Sequence, residues 1–240
     1  MFFNLAIVLL GAFLAAFAVG VVGFAGALVA SAVWLQVMSP TDAVPLILAT
    51  GIATHTLSLT SMRRAVSFSR LWPFLAGGAI GVPAGTWLLS NAEPRPFHLA
   101  IGLFLIAYSL FGLALPRLRT VTYGGCWADG MVGLAGGVLG GAAGLSGVAP
   151  TMWSGLRGWP KEEQRGVYQP FILIIHGMSL GWLAASGALN DTLAKNILMS
   201  LPALILGVWL GLRLFNRVDE TQFRRVVLFL LLLSGVALVI

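Results

Sequence analysis

Two apolar runs in this chain, at about 5–37 and 123–156, are far too long for one membrane crossing, which takes ~20 residues. Near its centre each carries the same glycine pattern, Gly-x-x-Gly-x-x-Gly. The first is Gly20, Gly23 and Gly26; the second is Gly141, Gly144 and Gly147. Backbone that leaves the helix at membrane depth is tolerated only where protein buries it or where it lines a polar cavity. Two such interruptions in one small chain point to a transport path built from a duplicated unit.

Composition agrees. The 240 residues are 58% hydrophobic and 9% charged, with a mean hydropathy of +0.94, whereas soluble domains carry roughly 25% charged residues. The remaining apolar runs, at about 43–62, 71–90, 97–115, 167–188, 193–215 and 222–240, are each close to one crossing. The chain has room for about eight to ten crossings and little else. The net charge of +6 lies in short basic clusters between apolar runs, a pattern of membrane orientation rather than nucleic-acid binding. Cys126 is the only cysteine, which excludes an intramolecular disulfide and a cysteine metal cluster. The start, Met1 to Asn4, lacks the positive region of a cleaved signal peptide, so the first run is expected in the mature protein.

The repeat extends beyond the glycines. An offset of 121 places Gly20, Gly23 and Gly26 on Gly141, Gly144 and Gly147, His55 on His176 and Ser58 on Ser179. After a shift of five residues, Gly81 and Gly85 match Gly207 and Gly211, and Phe97 matches Phe223. The halves are therefore 1–120 and 121–240. Basic clusters are Arg63, Arg64 and Arg70; Arg117 and Arg119; Arg157, Lys161 and Arg165; and Arg213, Arg217, Arg224 and Arg225. The loops 38–42, 90–96 and 189–195 are poor in them. A single crossing by the fifth run puts the 157–165 cluster opposite the 63–70 cluster, against the positive-inside rule. Entry and return on one side puts all four clusters on that side, which is assigned to the cytoplasm. The expected fold is thus an all-α polytopic membrane protein of two inverted-topology repeats. Each repeat is a broken-helix or re-entrant hairpin plus three transmembrane helices, with both termini outside. The alternative, a parallel repeat of four single spans per half, leaves the charge bias worse.

Within strongly apolar runs, His55 and Ser58 share one helix face, as do His176 and Ser179, each pair being three residues apart. Ionisable side chains inside a membrane usually face the bundle interior or a water-filled path. Imidazole and hydroxyl donors suit a small oxyanion, and histidine can also carry a proton. The alternative is a core histidine bonded to a neighbouring carbonyl. The broken helices add backbone N–H groups and a positive dipole end at Gly23, Gly26, Gly144 and Gly147, with Ser146 beside them. Two hairpins of opposite entry point these ends at each other near the midplane. Gln169, Thr50 and Thr54 lie about one turn from the histidine faces and either extend the candidate site or, equally, serve packing. Gly77, Gly81, Gly85, Gly207 and Gly211 read as helix-packing positions. Asp129, at the entry to the second hairpin, reads equally as a cap or as a site residue; Asp42, Glu162 and Glu163 read as helix N-terminal acids, and Trp34, Trp72, Trp127, Trp153 and Trp159 as interfacial anchors. No P-loop, metal spacing or nucleophile–base pair is present, so neither catalysis nor a cofactor is expected.

The whole chain, and above all Gly136-Gly137-x-x-Gly140-Gly141-x-x-Gly144-Leu145-Ser146-Gly147-x-x-Pro150, resembles the sulfite exporter TauE/SafE family of permeases. Val148-Ala149 and Ala27-Leu28 stand where members commonly carry further glycines or a proline. The resemblance implies movement of sulfite, sulfonates, sulfoacetate-like or related small organic anions across the bacterial inner membrane. The leading expectation is a secondary transporter working by alternating access. A passive anion channel and a membrane enzyme or assembly subunit are the alternatives. Expected partners are the small anion, the bilayer and a coupling proton or cation, with a homodimer left open and no nucleic acid.

Overall fold

The computed structural model describes residues 2–60, 66–114, 121–214 and 220–240. Arg63, Arg64, Arg117, Arg119 and Arg217, and the side chains of Lys161, Phe223 and Arg224, lie outside the described residues. Among the described residues there are ten helices and no strand. They are α1 (Phe2–Val22), α2 (Gly26–Trp34), α3 (Pro40–Thr60), α4 (Phe68–Asn91), α5 (Pro94–Ala114), α6 (Gly125–Ala143), α7 (Val148–Leu156), α8 (Lys161–Ala185), α9 (Asp191–Leu214) and α10 (Glu220–Val239). Five of them, α1, α3, α5, α8 and α9, are long and apolar enough to cross a membrane.

Both overlong runs break at the middle glycine of the motif. Gly23 takes φ 88° and Gly144 takes φ 73°, a left-handed conformation that side chains with a Cβ adopt only at a cost. At the second break the Gly144 N–H donates to Gly140 O (2.8 Å), the single bond of an αL helix end, and the Leu145 N–H donates to Leu139 O (3.1 Å). Pro150 does not stop the new helix. It is the third residue of α7, in the first turn, where its missing N–H is not needed. The pieces are unequal: α1 has 21 residues, whereas α2 and α7 have nine each, or about 14 Å, less than half the hydrocarbon core. α2 folds back along α1. A Cβ on Gly26 would lie 2.5 Å from Val19 Cγ2, and one on Gly11 would lie 2.2 Å from Trp34 Nε1. Each run is thus a long helix and a half-length return.

Small residues bring the long helices together. Gly77, Gly81 and Gly85 of α4 press on the α6 backbone around Gly130, Leu134, Gly137 and Gly141. Gly207 and Gly211 of α9 press on Phe13, Ala16, Phe17 and Gly20 of α1. α3 packs on α8, and α5 on α10. The last pair runs antiparallel, with Gly102 beside Gly235 and Gly112 beside Leu228. Helix ends sort into two groups. Arg70 at the start of α4 pairs with Glu163 at the start of α8, and Arg157 donates to Gly125 O at the start of α6 (3.1 Å). At the other end Leu5, Val8, Val37, Ser39, Asp42, Asn190 and Lys195 line one cavity. The α1–α2 unit therefore begins and ends on the same side of the bundle.

Four side chains depart from the sequence expectation. Trp34 is fully buried in the main core, not at an interface, because Gly11 leaves room for its ring. Asp129 does not cap. It accepts from Trp153 Nε1 (2.6 Å) and Arg157 Nη2 (3.0 Å), tying α6 to α7. Trp153 accordingly turns inward. Arg165 is not a loop charge but a core residue, 4% exposed. Trp72 and Trp127 are exposed, as anchors would be. Large apolar side chains such as Ile80, Trp87, Leu103, Leu198, Ile205 and Leu230 cover the outside, a surface that suits lipid rather than water.

Candidate functional site

α3 and α8 cross at the centre of the bundle, and their two histidines face each other there. The imidazole centroids are 6.3 Å apart at an interplanar angle of 85°, and both rings are buried. His176 Nε2 lies 2.9 Å from Gly144 O. A carbonyl only accepts, so Nε2 carries the proton and the neutral ring keeps Nδ1 as an acceptor. The Nδ1 atoms of both His55 and His176 are buried with no hydrogen-bond partner, an arrangement that costs about 1–3 kcal/mol per group. Gly51 makes room for the second ring, since a Cβ there would lie 2.3 Å from His176 Nδ1.

The rings border a cavity of about 10 Å³, lined also by Ala15, Val19, Gly26, Thr50 and Thr54. That is space for about one water molecule. The threonine hydroxyls are committed to the helix backbone: Thr50 Oγ1 donates to Leu46 O (2.6 Å) and Thr54 Oγ1 to Thr50 O (3.0 Å). The threonines thus have no proton left to donate, and the imidazole Nδ1 atoms are the ring nitrogens in this wall without a hydrogen-bond partner.

The other expected site residues divide into two further groups. Ser58 and Gln169 face each other at the broken end of α1: Gln169 Nε2 donates to Gly23 O (3.2 Å) and to Ser58 Oγ (3.2 Å). Arg165 Nη2 donates to Val21 O (2.7 Å) and Tyr168 Oη to Val22 O (3.0 Å). Three consecutive carbonyls, orphaned where α1 stops, are thereby satisfied by one face of α8, and a cation sits at the negative end of the helix dipole. Gly147 lies at the other tip, where a Cβ would stand 2.6 Å from Ile172 Cδ1 and 3.9 Å from Phe24 Cβ; the two tips therefore lie close together. Ser146 packs against Gly136 and Gly140. The hydroxyls of Ser146 and Ser179 are buried without a partner.

Sequence reasoning missed the Arg165–Tyr168 part of this cap. The signal was present: Arg165, Tyr168, Gln169, Ile172 and His176 are spaced 3, 1, 3 and 4 apart, one face of a helix. Gln169 also has no copy, because Leu48 stands at its place in the first half. Among the described residues no group of three or more His, Cys, Asp or Glu could hold a metal ion.

No curated protein and no solved structure matches this chain. A family profile does, over residues 8–238, and its description is sulfite exporter TauE/SafE. Nearly the whole length is covered, and a helix bundle with an apolar outer surface is what a permease requires. The chain belongs to the sulfite exporter TauE/SafE family, whose members are membrane transporters of sulfur-containing anions rather than enzymes.

Proposed function

We propose that this protein is a secondary transporter of the bacterial inner membrane that moves sulfite, a sulfonate, sulfoacetate or a comparable small organic anion by alternating access around the His55–His176 pair. The observation that carries this is the pair itself. Two buried imidazoles from corresponding places in the chain converge on one small cavity, in a chain of a permease family. A cavity with room for one water has no room for sulfite, so the helices must part to admit the anion, as a carrier's do.

The two halves, 1–120 and 121–240, are read as inverted repeats. Support comes from the reciprocal packing, α1 on α9 and α4 on α6, and from the antiparallel pairing of α5 with α10. The basic residues Arg70 and Arg157, grouped at one end, support reading that end as cytoplasmic.

Chemistry links the anion to a proton. His176 donates through Nε2 to Gly144 O, so its free Nδ1 repels an anion until a proton converts it to a donor. Anion and proton then enter the site together. The test is uptake of radiolabelled sulfite and sulfoacetate into proteoliposomes, with and without an imposed pH gradient. His55→Ala and His176→Ala are each expected to reduce uptake at least about tenfold, the loss of about 1.4 kcal/mol of interaction. Unchanged uptake in both variants sinks the histidine site.

A further inference from the structure

The duplicated halves differ most beside the histidines. The offset of 121 that carries His55 onto His176 carries Thr50 onto Phe171, Gly51 onto Ile172 and Thr54 onto Ile175. It also carries Ala15 onto Gly136 and Val19 onto Gly140, while the later offset of 126 carries Gly78 onto Leu204. Each set encloses the space between three helices on one side of the histidine pair.

On the α4, α6 and α8 side that space is filled. Phe171 and Ile175 are completely buried. A Cβ on Gly78 would lie 2.6 Å from Ile175 Cδ1 and 2.8 Å from Phe171 Cε2; one on Gly136 would lie 2.9 Å from Phe171 Cε1; and one on Gly140 would lie 2.8 Å from Ile175 Cγ2. Phe74 closes the stack, 6.3 Å from Phe171 between ring centroids. On the α1, α3 and α9 side α3 carries threonine and glycine at the corresponding positions, opposite Ala15 and Val19 of α1 and Leu204 of α9, and these residues leave the small cavity between them.

Beyond that cavity, on the same three helices, lies a second one of about 570 Å³. Its walls include Leu5 and Val8 of α1, Asp42 of α3, and Asn196 and Met199 of α9. The histidine cavity continues with Ala15 of α1, Ile47 of α3 and Leu204 of α9. On each helix the two linings are five to seven residues apart, or about 8–10 Å. Buried Ala12, Leu46 and Ser200 stand between them, on the helix stripes that connect the walls. Two of these three residues are small.

We infer that the transported anion reaches the histidine pair from the 570 Å³ vestibule, past Ala12, Leu46 and Ser200, and that Phe171 and Ile175 are the closed gate on the opposite side. The duplicated unit has thus become functionally unequal: one copy forms the approach and the other forms the bolt. The vestibule is at the end away from Arg70 and Arg157, and Lys195 on its wall is an exposed cation for an arriving anion.

The transported species is taken from the transport reading above, but the accessibility test needs no transport. In a Cys126→Ser background, Ala27→Cys and Thr54→Cys each place one thiol on the histidine cavity, in proteoliposomes of uniform orientation. Val37→Cys marks the vestibule face and Tyr123→Cys the other. Thermal unfolding identifies any variant that misfolds, and two cavity positions keep the test open if one does. A membrane-impermeant methanethiosulfonate is expected to modify both cavity thiols from the Val37 face about tenfold faster or more than from the Tyr123 face, because an opposite-facing state held at a tenth or less contributes in proportion. Phe171→Ala is expected to raise the rate from the Tyr123 face. Equal rates from both faces, faster labelling from the Tyr123 face, or no labelling of either thiol from the Val37 face overturns the inference. Unequal labelling alongside unchanged uptake in the histidine variants leaves the path standing and removes only the histidine site.

Discussion

The three glycines of each motif do three different things. Gly20 and Gly141 let a second helix approach, since a Cβ would lie 2.7 Å from Gly211 Cα in one case and from Val82 O in the other. Gly23 and Gly144 turn the chain through positive φ. Gly26 and Gly147 admit Val19 and Ile172. That a break occurs was legible from glycines in the middle of an overlong run. The division of labour was not, because packing glycines are defined by partners remote in sequence. A substitution series separates the roles. Gly144→Ala is expected to destabilise the protein by about 1–2 kcal/mol from backbone conformation alone, and further because Ile47 Cγ2 stands 2.5 Å from the new methyl. Gly181→Ala, in α8 with nothing within 4 Å, is expected to be neutral or stabilising by up to about 1 kcal/mol. Thermal unfolding in detergent reads both; equal behaviour of the two variants refutes the assignment.

At the scale of elements, a nine-residue helix has too few internal bonds to hold its own position, so each return helix depends on what pins it. α7 is pinned by Asp129, which takes Trp153 Nε1 and Arg157 Nη2 on one oxygen, while Arg157 lies over the Trp153 ring at 5.1 Å. Asp129 and Arg157 keep side-chain exposures of only 11% and 12%. Removing the acid strands a poorly solvated guanidinium. Asp129→Ala is therefore expected to lower stability by about 3 kcal/mol, and Asp129→Asn, which still offers an oxygen to both donors, by less. Unfolding curves that rank the two variants the other way contradict the pinning role. α2 is held differently, by Trp34 against Gly11, and the end of α1 by the polar face of α8. The run lengths, the broken segments and the first-turn acids Asp42, Glu162 and Glu163 were readable from periodicity and charge. The burial of Arg165 and Trp34 was not, because each is decided by a single cavity or carbonyl cluster contributed from more than 20 residues away.

For the molecule as a whole, the decisive contrast is between a reciprocally packed helix frame and an unequal interior. Helix pairing is reciprocal across the halves, yet one side of the histidine pair is lined by Thr50 and Thr54 and the other is packed with Phe171 and Ile175. A channel needs one continuous wet path, and here bulky apolar side chains close one end while the cavity between the histidines holds about one water. Two packings of the same frame, each open to one side, are what alternating access demands. On the proposed mechanism, passage requires a helix rearrangement for every anion, and such motions take microseconds to milliseconds. Two observations follow from that requirement. Preloading proteoliposomes with unlabelled sulfite is expected to accelerate uptake of labelled sulfite, because the loaded site returns faster than the empty one when binding energy supports the transition. Planar bilayers containing the protein are expected to give no unitary current steps in sulfite. Ohmic steps, with uptake indifferent to preloading, establish a pore and require Phe171 and Ile175 to swing clear together with the Ala12 partition.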